Sequence, residues 1–69
     1  MPIIGERIKS LRTEAGLTQK QLAAILRVRV VSVQRFEYGT LRPSLDTLMD
    51  LADCFHCTID YLVGRSDER

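Results

Sequence analysis

The tightest cluster of reactive side chains in this 69-residue chain is Cys54-Phe55-His56-Cys57, two thiols three positions apart with an imidazole between them. Thiolates at that spacing can grip one metal ion or close a strained disulfide. A structural zinc takes four ligands, however, and His56 is the only histidine and these are the only two cysteines. No metal site is therefore expected, and both cysteines read as free apolar side chains. Catalysis finds no better footing. Asp46, Asp50 and Asp53 repeat along one helix face, the lone histidine has no acid or nucleophile partner in view, and no glycine-rich loop could cradle a phosphate. Neither enzymatic activity, a cofactor nor a small-molecule ligand is expected.

A second group carries the chemistry of recognition. Arg35 can donate two parallel hydrogen bonds to a guanine edge, Gln34 can pair in the same way with adenine, and Val30 or Val31 can touch a thymine methyl. Two adjacent valines on an exposed helix face gain little from water, whereas a groove or a partner would cover them. For these four side chains to act together they must project from one short, firmly braced helix.

The seventeen residues Gln21 to Glu37 supply that arrangement, two short apolar-striped helices joined by about three residues, as in a helix-turn-helix. A first helix is expected over Ile4 to Glu14, with Ile4, Ile8 and Leu11 recurring at offsets of three and four, and Gly16 as its left-handed stop. Thr18 and Gln21 form a capping box that opens the second helix, whose inner stripe is Leu22, Ala23 and Leu26. The turn falls at Arg27 to Arg29. The third helix spans Val30 to Tyr38, buries Val33 and Phe36, and closes at Gly39. Arg42-Pro43 forces an extended segment, and Ser44 caps a fourth helix with Leu45, Leu48, Leu51, Ala52 and Phe55 inward. A last short helix opens at Thr58, buries Ile59 and Leu62, and stops at Gly64, leaving a polar tail from Arg65. Because Ile59, Leu62 and Val63 exceed what one small core accommodates, this helix is also the expected subunit interface.

The formal charge of +1 conceals a division. Residues 1–42 carry eight basic and three acidic side chains, a net of +5; residues 43–69 carry two basic and six acidic, a net of −4. The positive end coincides with the helix-turn-helix, the distribution expected of a nucleic-acid binder. No apolar run approaches the roughly 18 residues of a membrane span, and the start MPIIGERIKS lacks the apolar stretch of a signal peptide. One cytoplasmic domain over residues 1–69, with its core at about 4–64, is the expectation.

Taken in order, Leu17-Thr18-Gln19, Leu22-Ala23, Val28, Val33, Phe36-Glu37, Gly39, Pro43-Ser44-Leu45, Leu51-Ala52 and Asp60-Tyr61-Leu62 resemble the helix-turn-helix regulators of phage Cro and repressor type. The likeness runs from about residue 4 to 64. It implies an all-α, compact five-helix domain like that of lambda repressor, with the third helix in the major groove. It also implies that Gln19 reaches a phosphate or a nearby base, and that Arg12 pairs with Glu37 behind the reading helix while still facing the DNA backbone. The implied partners are a palindromic double-stranded DNA operator and a second copy of the chain, the two reading helices lying about 34 Å apart. Arg12, Gln19, Arg27, Arg29, Tyr38, Thr40 and Arg42 would then contact the backbone, leaving base readout to Val30, Val31, Gln34 and Arg35.

Three residues depart from the family's pattern. Arg27 stands where glycine is common, Arg29 where a serine or threonine caps the third helix, and Tyr38 where asparagine is frequent. A left-handed backbone at Arg27 would cost about 1 to 2 kcal/mol, and the lost cap roughly 1 kcal/mol more. The reading is a transcriptional regulator, a repressor or controller protein acting by occupancy. The rival from a different class is a protein-interaction module, such as an antitoxin or antirepressor, built on the same fold. RNA binding ranks third, because no exposed stacking aromatic is expected beyond Tyr38.

Overall fold

A computed structural model describes residues 3–69, in which five helices follow one another: α1 (Ile3–Glu14), α2 (Gln19–Leu26), α3 (Val30–Tyr38), α4 (Leu45–Phe55) and α5 (Ile59–Val63). Local chemistry sets most of the boundaries. The Thr18 hydroxyl accepts from the Gln21 amide while the Gln21 side chain accepts from the Thr18 amide, which fixes the start of α2. Ser44 and Thr58 accept from the Thr47 and Tyr61 amides at the starts of α4 and α5. Helix α3 lacks this device, for Arg29 occupies its N-cap with no side-chain hydrogen bond.

One apolar cluster holds the helices together: Ile8 and Leu11 of α1, Leu22, Ala23 and Leu26 of α2, Val33 and Phe36 of α3, Leu51 of α4 and Leu62 of α5. Each large member contributes about 1.5 to 3 kcal/mol by leaving water. The α1–α3 approach is closer than side chains would permit. A Cβ built on Gly5 would lie 2.5 Å from the Phe36 carbonyl oxygen and 2.7 Å from that of Glu37. Glycine at this position is what lets α1 lie directly against the back of α3.

Two expectations need correction. Leu45 is not an inner residue of α4: it is 65% exposed, because the core side at this end is taken by the buried Pro43 and the inward stripe begins at Leu48. Leu62 cannot belong to a subunit interface, since it is wholly enclosed by the central cluster; Ile59 and Val63 beside it are only half-buried. The polar residues after Gly64 are tied to the body of the domain. Arg7 donates to the Tyr61 and Ser66 carbonyls, both at 2.6 Å, and pairs with Asp67. Arg69 pairs with Glu14 at 2.6 Å, and the two guanidinium groups lie 4.0 and 5.5 Å from the Tyr61 ring centre. The segment is thereby latched across α1.

No helix among the described residues is long and apolar enough to cross a membrane.

Candidate nucleic-acid interface

Helix α3 is held from behind by α1 and α2, which make the most extensive helix–helix contacts in the molecule with it. Val33 and Phe36 point into the core, so that the helical repeat turns Val30, Val31, Gln34 and Arg35 to the outside. Val30 and Val31 are 41% and 38% exposed, unusual for valines on a helix otherwise well packed. Val31 and Arg35 are one turn apart, as are Val30 and Gln34, which makes two parallel stripes of apolar followed by polar side chains.

Behind this face lies a compact charged knot. Arg12 Nε donates to Glu37 Oε2 at 2.6 Å and Arg12 Nη2 to Glu37 Oε1 at 3.2 Å, a two-pronged pair between α1 and α3. Arg12 Nη1 donates to the Leu17 carbonyl, and Gln19 Nε2 donates to Glu37 Oε1 at 3.1 Å. One carboxylate thus aligns the end of α1, the start of α2 and the back of α3. Arg12 and Gln19 line a groove together with Lys9, Gln34, Glu37 and Tyr38. Lys9 went unnoticed as a site residue; its place one turn before Arg12 on α1 was the available signal. Tyr38 is 83% exposed at the rim.

The turn between α2 and α3 is held by backbone contacts at a cost. Arg27 is in the left-handed region, φ 58° and ψ 41°, which turns the following Val28 amide back to the Ala23 carbonyl at 3.0 Å and ends α2 abruptly. A non-glycine residue pays about 1 to 2 kcal/mol there. Its side chain and that of Arg29 are exposed on either side of Val28. Thr40 and Arg42 are likewise exposed in the loop that follows Gly39, where the Thr40 hydroxyl lies 3.5 Å from the Arg35 carbonyl.

Ion pairing sorts the cations further. Of the eight in residues 1–42, Arg7 is taken up by the C-terminal latch and Arg12 by Glu37. Lys9, Lys20, Arg27, Arg29, Arg35 and Arg42 have no carboxylate within ion-pair distance among the described residues. These six uncompensated charges come from the middle of α1, from α2, from α3 and from the two flanking turns. Such a set can bind a polyanion without first breaking an internal pair.

The cysteines lie elsewhere. Cys54 and Cys57 are both free and half-buried near the end of α4, and burial pushes each thiol above its ordinary value. Among the described residues no group of three histidine, cysteine or carboxylate side chains could hold a metal ion.

Residues 8–62 match the family described as helix-turn-helix. Among curated proteins, the chain is 33% identical over 64 residues to the HTH-type transcriptional regulator ImmR of Bacillus subtilis, covering 93% of this chain and 50% of that one. It is 32% identical over 62 residues to the cryptic phage CTXphi transcriptional repressor RstR of Vibrio cholerae, covering 90% and 55%. The chain spans about half the length of these curated relatives. Among solved structures, the c2 repressor of phage P22 in complex with a synthetic operator superposes with a TM-score of 0.85 at 27% identity, covering 91% of this chain and 96% of that one. A transcriptional regulator from Listeria innocua superposes with a TM-score of 0.86 at 35% identity, covering 96% and 62%.

Proposed function

As the chain belongs to the helix-turn-helix family, we propose that it is a sequence-specific double-stranded DNA-binding transcriptional regulator, a repressor or controller protein of the cytoplasm that acts by occupying its operator. The observation that carries this reading is the outward face of α3. Val30, Val31, Gln34 and Arg35 project from a helix braced on its other side, and uncompensated cations surround them. The P22 c2 repressor, whose structure holds a synthetic operator, supports the reading through a likeness that covers nearly the whole of both chains.

In this reading the work is divided. Lys9, Gln19, Arg27, Arg29, Tyr38, Thr40 and Arg42, with the Arg12 guanidinium behind them, contact phosphates and fix the register of α3 in the major groove. Arg35 reads guanine, Gln34 reads adenine, and the two valines meet thymine methyls. The strained Arg27 and the uncapped Arg29 fit this division, because each gives up local stability at a place where a guanidinium would lie near the DNA backbone. Two copies of the chain read a palindromic site with their α3 helices about 34 Å apart. Ile59 and Val63 contribute to that pairing, whereas Leu62 stays in the core.

Titrating the chain into duplex DNA over a range of salt tests the proposal. The affinity is expected to fall on a log-log plot with a slope of about −0.9 per phosphate contacted. Binding that ignores salt, or an absence of binding alongside tight capture of a protein, would favour the interaction module instead.

A further inference from the structure

Among the exposed apolar side chains, two pairs stand in surroundings of opposite charge. On α3, Val30 and Val31 stand among Arg27, Arg29 and Arg35, none of which has an acid partner among the described residues. On α4, Leu45 and Met49 are 65% and 50% exposed, one turn apart, beside the exposed Asp46, Asp50 and Asp53. The whole stretch from Pro43 to Gly64 contains four aspartates and neither lysine nor arginine. Among the described residues no ion pair neutralises this face.

A two-fold contact through α4 would bring aspartates against aspartates, which like-charge repulsion opposes. A cationic apolar surface suits it, and the same chain carries one. The registers agree as well. Val31 precedes Arg35 by four residues on α3, and Met49 precedes Asp53 by four on α4. Laid parallel, the two stripes set valine against methionine and guanidinium against carboxylate at a common rise of about 6 Å.

We propose that, without DNA, the reading face of one copy docks on the Leu45–Met49–Asp53 stripe of α4 in a second copy. The contact is head-to-tail, so it leaves one of each face free and builds open chains, unlike a closed two-fold dimer. It also covers Val30, Val31 and Arg35, so association between copies and access to α3 exclude one another. This contact follows from charge and apolar complementarity and does not rest on the DNA-binding reading.

Sedimentation equilibrium over a range of protein concentration decides it. At about 50 mM salt the weight-average mass is expected to climb past twice the 7.9 kDa of one chain, and at about 500 mM salt to fall to the dimer or below. An equal amount of mixed-sequence duplex of about 20 base pairs, which coats cationic faces without regard to sequence, should disperse the assemblies at low salt. The double variant Met49→Gln, Asp53→Asn should weaken association about tenfold or more, while its duplex affinity, measured at protein concentrations too low for association, stays that of the parent. Chains carrying Arg35→Asp and chains carrying Asp53→Arg should grow beyond the dimer only when mixed. A parent chain that never exceeds two copies, or assemblies that both α4 substitutions leave intact, would overturn the proposal. If no duplex binds while the salt and mixing results hold, the contact stands and the DNA-binding reading fails.

Discussion

Arg12 of α1 and Glu37 of α3 meet in a two-pronged pair at 2.6 and 3.2 Å, with only 12% and 6% of their side chains exposed. Twenty-five positions separate them in the chain, and Gln19 of α2 joins the same carboxylate. The pair therefore fixes the angle at which α3 leaves the body of the protein. Glu37→Gln would leave the Arg12 guanidinium nearly buried without a counter-charge, a loss of about 3 kcal/mol. Thermal unfolding should register a large drop in midpoint. Replacing both residues by leucine should cost less than Glu37→Gln alone, because no charge is then left unpaired.

Gly5 lies within α1, where helix propensity alone would make alanine better by up to about 1 kcal/mol. The Phe36 and Glu37 carbonyl oxygens, 2.5 and 2.7 Å from the added Cβ, reverse that sign. Both are backbone atoms and cannot swing away, so α1 must move off α3. Gly5→Ala is expected to destabilise the chain by more than about 1 kcal/mol in urea unfolding, within the usual range for an overpacked site.

The start and stop chemistry of this fold was legible residue by residue. The Thr18–Gln21 capping box, Ser44 and Thr58 at helix starts, and Gly39 and Gly64 at helix ends are local signals, and each acts where the sequence places it. What escaped is long-range. The Arg7–Asp67 and Arg69–Glu14 pairs join residues 60 and 55 positions apart, and nothing periodic in the sequence links them. The Arg12–Glu37 pair was reachable only through the family resemblance, for the same reason. Leu45 misled because a leucine directly after an N-cap fits an inward stripe, and only the packing of Pro43 shows that the stripe starts three residues later. Of the proposed recognition surface, the outward placement of Val30, Val31, Gln34 and Arg35 followed from helical period. That six neighbouring cations are free, while Arg7 is not, required three-dimensional partners.

Arg27→Gly tests whether the turn trades stability for a charge. Glycine adopts φ 58° without strain, so the variant should gain about 1 kcal/mol, or roughly 4 to 8 °C in melting temperature. It should also lose one unit of phosphate contact, lowering the salt slope of duplex binding by about 0.9. A variant that melts lower, or binds duplex as the parent does, would remove Arg27 from the interface.

Burial raises the Cys54 and Cys57 thiols, so less thiolate is present near neutral pH than at a free cysteine. Iodoacetamide should label both slowly at pH 7 in the folded chain and faster once the chain is unfolded. The linkage has a definite sign. The unfolded chain releases these protons at lower pH than the folded one, so their contribution to stability is complete below the ordinary thiol value and is lost as pH rises through the raised folded values. Urea midpoints should accordingly fall as pH climbs past about 9, and replacing both cysteines by alanine should flatten that part of the profile.

The reading of α3 as the element that chooses a DNA sequence is tested most directly by selecting bound duplexes from a random pool and then measuring Arg35→Ala on the winner and on random DNA. A palindromic consensus is expected, with half-site centres about 10 base pairs apart. Arg35→Ala should cost about 1 to 3 kcal/mol on the selected site and little on random duplex. A pool that yields no consensus, or an equal loss on both duplexes, would contradict it.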